Sequence, residues 1–83
     1  MSELPSSRQL KWQCRRGLLE LDVLFAEFID DGHYDLLDDS LKQDFIRLLQ
    51  HMDPDLQRWI LYSQPPADPS LNKIIQIVLN SRM

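Results

Sequence analysis

A run of residues from Cys14 to Asp22 holds the side chains of this sequence that are best suited to recognise another molecule. Arg16 offers a planar fork of N–H donors, Glu20 offers a carboxylate acceptor, and Gly17 leaves the backbone bare. In one continuous helix, Arg16 and Glu20 would lie four residues apart and form an exposed ion pair. Such a pair contributes only about 0.3 kcal/mol. Spacing alone favours a local structural pair and leaves a binding surface as the alternative.

Residues that could catalyse a reaction are few in this sequence. Gly17 and Gly32 are the only glycines, so neither a phosphate-binding loop nor a dinucleotide fingerprint can be built. His33 and His51 each lack a second nitrogen or sulfur ligand four residues away, which argues against a metal site. Cys14, the one cysteine, adjoins two arginines that could make it reactive, but packing in the core is the favoured interpretation. We therefore expect no catalytic residue and no metal ligand.

The two tryptophans and the charge distribution limit the classes of partner. Trp12 and Trp59 could stack on a base or a flavin ring, but packing in a core or an interface is favoured. The net charge is −4, and residues 17–60 carry eleven acidic residues against three basic ones. An acidic protein repels phosphate backbones, so we expect no nucleic-acid partner. Residues 1–16 are basic by contrast, which would suit an acidic partner.

The apolar residues repeat with a helical period along almost the whole chain, and no stretch alternates as a strand should. The pattern predicts a small all-α bundle of about five helices in a single domain over residues 1–83, with its core over residues 8–80. No apolar run is long enough to cross a membrane, so no membrane insertion is expected. With one cysteine, a reducing, cytoplasmic location is expected. The predicted buried positions are Leu10 and Cys14, then Leu18, Leu21, Phe25, Phe28 and Ile29, then Leu41, Phe45, Leu48, Leu49 and Met52, then Leu56, Trp59 and Ile60, and finally Leu71, Ile74, Ile75, Val78 and Leu79.

Helix boundaries are signalled by glycine, aspartate and proline. The main helix should end near Gly32, which readily adopts the left-handed conformation. Asp38 or Asp39 should cap the next helix. Asp53 and Asp68 each precede a proline, which predicts a capping aspartate followed by proline at the first helical position.

Taken together, these motifs resemble the small FAD assembly factors of succinate dehydrogenase, the family called SdhE in bacteria. The hallmark of that family is Arg-Gly-x-x-Glu, present here as Arg16-Gly17-Leu18-Leu19-Glu20. The resemblance extends over residues 8–80 and includes Trp12 to Gly17, Glu20-Leu21-Asp22, Tyr34-Asp35, Phe45 to Leu49, Asp53 to Leu56, Trp59 and Pro66-Ala67-Asp68.

The resemblance implies a five-helix bundle that promotes covalent attachment of FAD to the flavoprotein subunit of succinate dehydrogenase, with fumarate reductase as a second client. It implies a chaperone rather than an enzyme, expected to be a monomer, with FAD as the client's cofactor and not stably bound here. The client-binding residues that it implies are Arg16, Gly17 and Glu20, with Arg15, Trp12 and Asp22 as neighbours.

Two other functions stay open at this point. A flavin-binding carrier or flavinyltransferase would bind FAD saturably and change tryptophan fluorescence. A generic interaction module, antitoxin-like or regulatory, would bind a partner other than a flavoprotein.

Overall fold

The computed structural model describes residues 4–14 and 16–81, and the regular secondary structure within them is all helical, as predicted. The α-helices are α1 Ser7–Gln13, α2 Leu19–Asp30, α3 Asp39–Leu49, α4 Asp53–Leu56 and α5 Asn72–Asn80. A 3₁₀ turn at Tyr34–Leu36 leads into α3, and a π-helical turn at Gln57–Leu61 extends α4. A second 3₁₀ turn, Pro69–Leu71, leads into α5. No helix among the described residues is long and apolar enough to cross a membrane.

Most helix ends follow the local signals of the sequence. Ser6 and Gln9 form a capping box at the start of α1, in which each side chain accepts from the other residue's backbone N–H. Gly32, at φ 81°, follows the end of α2 and adopts the expected left-handed conformation. The Asp38 carboxylate accepts from the Leu41 N–H at 2.8 Å, which decides between the two predicted caps of α3. Local hydrogen bonding therefore sets these boundaries.

Of the two predicted Asp-Pro caps, one is confirmed and one is wrong. Asp68 accepts from the Ser70 N–H at 3.0 Å and begins the 3₁₀ turn that leads into α5. Asp53, however, lies inside the first turn of α4, and Met52 occupies the N-cap position without a side-chain hydrogen bond there. The Asp53 carboxylate points to a distant segment of the chain, so tertiary contacts override the local capping preference.

One hydrophobic core receives a face from every helix. At its centre, the rings of Phe25 and Phe28 lie 6.0 Å and 5.0 Å from the ring of Phe45, centroid to centroid. The buried Tyr34 ring packs 5.7 Å from Phe45, and its hydroxyl donates to the Pro5 carbonyl at 2.8 Å. This bond ties the N-terminal segment to the turn before α3.

The predicted core positions are confirmed, except that one of them is exposed and three are only partly buried. Met52 was predicted to continue the buried face of α3, but that helix ends at Leu49 and Met52 is 74% exposed. Leu18 and Leu79 are only partly buried but pack against the core, and Leu41 is also only partly buried. The remaining predicted positions are buried, and the structure adds Leu24 and Tyr34 to them.

Candidate functional site

Arg16 lies between α1 and α2, and its guanidinium points into the protein. It donates from Nη1 to the His51 carbonyl at 3.2 Å and from Nη2 to the Leu49 carbonyl. The last carbonyls of a helix lack partners within the helix, and a cation there also offsets the helix dipole. Arg16 thus caps the C-terminal end of α3, with its guanidinium carbon 5.8 Å from the centre of the Phe25 ring. Its side chain is only 12% exposed.

Asp53 connects the same segment to α4. Its Oδ2 accepts from the Gly17 N–H at 3.0 Å, and its Oδ1 lies 3.6 Å from Arg16 Nη1. Arg16 and Gly17 are therefore held from behind by the junction between α3 and α4, through two backbone carbonyls and one carboxylate.

The outer side of the same segment is open. Gly17, Leu19 and Glu20 are all exposed, and Leu19 is 73% exposed in spite of its apolar side chain. A Cβ on Gly17 would lie 3.4 Å from Asp53 Oδ2, which is an ordinary contact, and its φ lies outside the left-handed region. Neither the backbone nor the packing of the fold requires glycine at this position.

The ion pair suggested by the spacing of Arg16 and Glu20 does not form among the described residues. The helix begins only at Leu19, so Arg16 precedes it and the two side chains are not on successive turns. Glu20 lies in the first turn of α2 with Asp22, where a negative charge offsets the positive end of the helix dipole. This placement matters because the N-cap, Leu18, has no side-chain acceptor. The prediction that Arg16 and Glu20 form a local ion pair along one helix is therefore wrong.

Trp12 and Asp22 lie on either side of a surface groove between α1 and α2. The groove has a volume of about 460 Å³ and is lined by Arg8, Lys11, Trp12, Asp22 and Ala26. Trp12 is 74% exposed, so the prediction that it packs in a core or an interface fails for the core of this chain. Trp59, by contrast, is in the core as predicted. Arg15 lies outside the described residues.

Cys14 is a free thiol at the end of α1 and is buried against the core, as predicted. Burial raises its pKa from 9.0 to about 11, although the positive charge of Arg16 acts in the opposite direction. The thiol is therefore protonated at neutral pH and inert as a nucleophile. Within the described part of the chain, no three His, Cys, Asp or Glu side chains cluster closely enough to hold a metal ion.

The contribution of Asp53 was missed by sequence reasoning. Its position before Pro54 indicates a local cap, and no spacing in the sequence relates it to Gly17, which is 36 residues away. The Leu49 and His51 acceptors are backbone carbonyls, which every residue has, so the residue types there give no sign of a contact with Arg16. Only the packing of the α3–α4 junction against the segment before α2 brings these groups together.

The fold and the site define a small all-α protein in which a buried arginine and an aspartate hold one segment from behind. The outer side of that segment presents a bare glycine, a leucine and a glutamate. Residues 8–82 match the family model described as "Flavinator of succinate dehydrogenase". The chain belongs to this family, which confirms the resemblance found in the sequence.

Three relatives of this chain share the name FAD assembly factor SdhE. It is 44% identical over 77 residues to the FAD assembly factor SdhE of Idiomarina loihiensis, covering 93% of this chain and 84% of that protein. It is 44% identical over 73 residues to the protein of the same name from Shewanella oneidensis, covering 88% of each. For the SdhE of Pectobacterium atrosepticum the identity is 40% over 76 residues, covering 92% of this chain and 85% of that protein.

Proposed function

We propose that this chain promotes covalent attachment of FAD to the flavoprotein subunit of succinate dehydrogenase, and to that of fumarate reductase as a second client. Membership of the flavinator family supports the class of activity. The observation that carries the proposed surface is Gly17: it is exposed, and the fold would accept a Cβ there. Because the fold does not require glycine at this position, its lack of a side chain is better explained by the close approach of another backbone.

In this proposal the residues have different tasks. Gly17 allows the client to approach, Glu20 accepts hydrogen bonds from it, and Leu19 adds exposed apolar surface beside them. Arg16 acts from within, because its two Nη groups point inward and donate to the His51 and Leu49 carbonyls. Trp12 and Asp22 extend the surface along the groove between α1 and α2, and Arg15 is included by resemblance alone.

The chain acts on the client as a chaperone and not as an enzyme. Attachment of FAD requires a client histidine to be held unprotonated and in line with the flavin, and positioning of this kind lowers barriers by several kcal/mol, up to about 10 in the best cases. This chain offers an exposed segment, held from behind by Arg16 and Asp53, that would bind one arrangement of the client more tightly than others and so raise its population. FAD stays the client's cofactor. We place this activity in a monomer in the reducing cytoplasm, where the free thiol of Cys14 is stable.

The test is co-expression of the flavoprotein subunit with and without this chain, read by flavin fluorescence of the denatured subunit in a gel. Gly17→Arg should abolish the gain in covalent flavin, and Gly17→Ala should reduce it, while both variants keep the wild-type melting temperature. Gln76→Arg is the matched control, because it adds the same side chain to an exposed position of α5 in a different groove. We expect it to behave as wild type.

Two results would contradict the proposal. A Gly17→Arg variant that supports wild-type flavinylation would exclude this surface, and a wild-type chain with no effect at any FAD concentration would exclude the function.

The flavin-carrier alternative makes a separate prediction, because exposed Trp12 beside Arg8 and Lys11 would be its stacking partner. Titration of FAD into the isolated protein should show no saturable quenching of tryptophan fluorescence. Quenching that disappears in Trp12→Phe would instead favour the carrier.

A further inference from the structure

We propose that Asp53 is a positioning residue for the client-binding segment, residues 16–20. It acts through the Gly17 peptide and through Arg16. This inference rests on the proposed function and adds a residue on a different helix to it. Asp53 contacts the proposed surface only from behind, through the Gly17 N–H. Its effect is on the conformation of the segment that does.

The two carboxylate oxygens of Asp53 have different tasks. Oδ2 accepts from the Gly17 N–H at 3.0 Å, and Oδ1 faces Arg16 Nη1 at 3.6 Å. A bond from a backbone N–H to a carboxylate is charge-assisted, and such bonds are roughly twice as strong as neutral ones. The Asp53 side chain is 26% exposed, so water competes only in part for these oxygens.

The placement of this carboxylate is not explained by its own helix. An aspartate in the first turn ordinarily satisfies an unpaired N–H of that turn or offsets the helix dipole. Here α4 has no side-chain cap bond at Met52, and Asp53 reaches across to a peptide 36 residues earlier. The Gly17 N–H, for its part, precedes α2, whose first backbone bond runs from the Asp22 N–H to the Leu18 carbonyl. Asp53 therefore supplies the acceptor that this peptide would otherwise take from water.

Loss of this contact should loosen the segment before it harms the fold. A glycine without a side chain to pack is held only through its backbone, so the Gly17 peptide would sample more conformations. The client would then have to order the segment as it binds, which weakens binding. The chemistry in the bound complex would be unchanged. We expect a higher half-saturating concentration of this chain with a similar maximal rate of flavinylation.

The experiment compares three variants in flavinylation of the purified apo flavoprotein subunit by added FAD, with this chain titrated. Asp53→Ala removes both contacts, and Asp53→Asn keeps an acceptor for the Gly17 N–H but loses the charge that faces Arg16. Asp55→Ala is the matched control, since Asp55 lies in the same turn but pairs with the half-exposed Arg58. Amide spectra of the free proteins report on Gly17 directly, because Gly32 is the only other glycine and serves as an internal reference.

For Asp53→Ala we expect about a tenfold higher half-saturating concentration, an unchanged maximal rate, and a Gly17 amide that shifts and exchanges faster with solvent. The half-saturating concentration of Asp53→Asn should stay within about threefold of wild type, and that of Asp55→Ala should equal wild type. If Asp53→Ala does not fold, Asp53→Ser replaces it, because its shorter side chain loses the reach to Gly17 but keeps the turn polar.

The inference is overturned if the Gly17 amide is unmoved, or if the half-saturating concentrations of Asp53→Ala and Asp55→Ala agree while wild type is active. A wild-type chain without activity would instead reject the proposed function, and the Gly17 amide would then still decide whether Asp53 holds the segment.

Discussion

Two arginines of this chain each join segments that are far apart in sequence, and they differ in burial and in partner. Arg16 is 12% exposed and donates to backbone carbonyls at the end of α3. Arg47 is 46% exposed and joins the Asp44 carboxylate, 3.1 Å away, to the carboxylate of Asp68 and the Ser70 hydroxyl. The first connects the proposed client-binding segment to the end of α3, and the second connects α3 to the 3₁₀ turn before α5.

The difference is in what is lost when each side chain is removed. Water can replace an exposed ion pair at little cost, so such pairs contribute little. Carbonyls facing a buried guanidinium are shielded from water, and their loss of a partner costs more. Arg16 also has a buried Nε–H without a partner in the described part of the chain, which indicates that it is held there by its other contacts. Four predictions test this contrast.

The largest effect is expected for Arg16→Ala. The Leu49 and His51 carbonyls lose their donor and Asp53 loses a nearby cation, so the free energy of unfolding should fall by about 2–4 kcal/mol. Arg16→Lys should recover only part of this, because an ammonium cannot present the same fork to two carbonyls. Chemical denaturation monitored by circular dichroism measures both. A loss below about 1 kcal/mol in Arg16→Ala would remove the distinction between the two arginines.

Burial of the Cys14 thiol should also make the protein sensitive to alkali. The folded pKa of Cys14 is raised from 9.0 to about 11 by burial, so the thiol ionises more easily in the unfolded chain. Its contribution is complete below pH 9 and is lost as the pH rises toward 11, at about 1.4 kcal/mol per pH unit. The free energy of unfolding, measured from pH 8 to 10.5, should fall less steeply in Cys14→Ala. Parallel slopes in the two proteins would contradict the raised pKa.

A smaller effect is expected for Arg47→Ala, whose melting temperature should be lower than that of wild type by less than about 5 °C. This difference in melting temperature should shrink in 1 M salt, which screens exposed charges. Asp68 retains its cap, because the Ser70 hydroxyl and N–H are the main causes that hold its pKa below the ordinary value, with Arg47 adding to them. The cap's contribution is therefore present above that ordinary value and is lost as the pH falls through the lowered one. A loss in Arg47→Ala as large as in Arg16→Ala would show that burial is not the deciding factor.

The smallest effect on stability is expected for Glu20→Gln. Only the interaction of the charge with the positive end of α2 is lost, which costs about 0.5 kcal/mol or less. Flavinylation of the client should nevertheless fall several-fold, as a client contact requires. If Glu20→Gln supports wild-type flavinylation, the only role of Glu20 is to offset the dipole at the start of α2. Glu27→Gln is the control, because Glu27 is exposed farther along the same helix.

Sequence patterns were sufficient for most of the elements and core. Helical periodicity identifies buried faces because a one-sided stripe such as Leu21, Phe25 and Phe28 can only be satisfied against other helices. The caps at Asp38 and Asp68 are local hydrogen bonds, and the glycine stop at Gly32 is a local backbone property. The family, too, was accessible from the motif around Arg16 and Gly17, because its context extends over nearly the whole chain.

Prediction from sequence failed where contacts between distant segments competed with local preference. Met52 follows the period of α3 but lies beyond its end, and Asp53 has the local signature of a cap but binds Gly17. Trp12 was predicted to pack in a core or an interface, and its exposure excludes only the core of this chain. For Met52 the early end of α3 decides the outcome, and for Asp53 a contact with a distant peptide does.

The sequence by itself thus determined the helices, their apolar faces and the family, because these depend on residue types at short spacing. Only the tertiary structure decided that Arg16 faces inward while Gly17 and Glu20 face outward. That division depends on where the end of α3 and the start of α4 lie relative to the segment before α2. Contacts made across 33 to 36 residues are set by the packing of the whole core, and no local pattern encodes them.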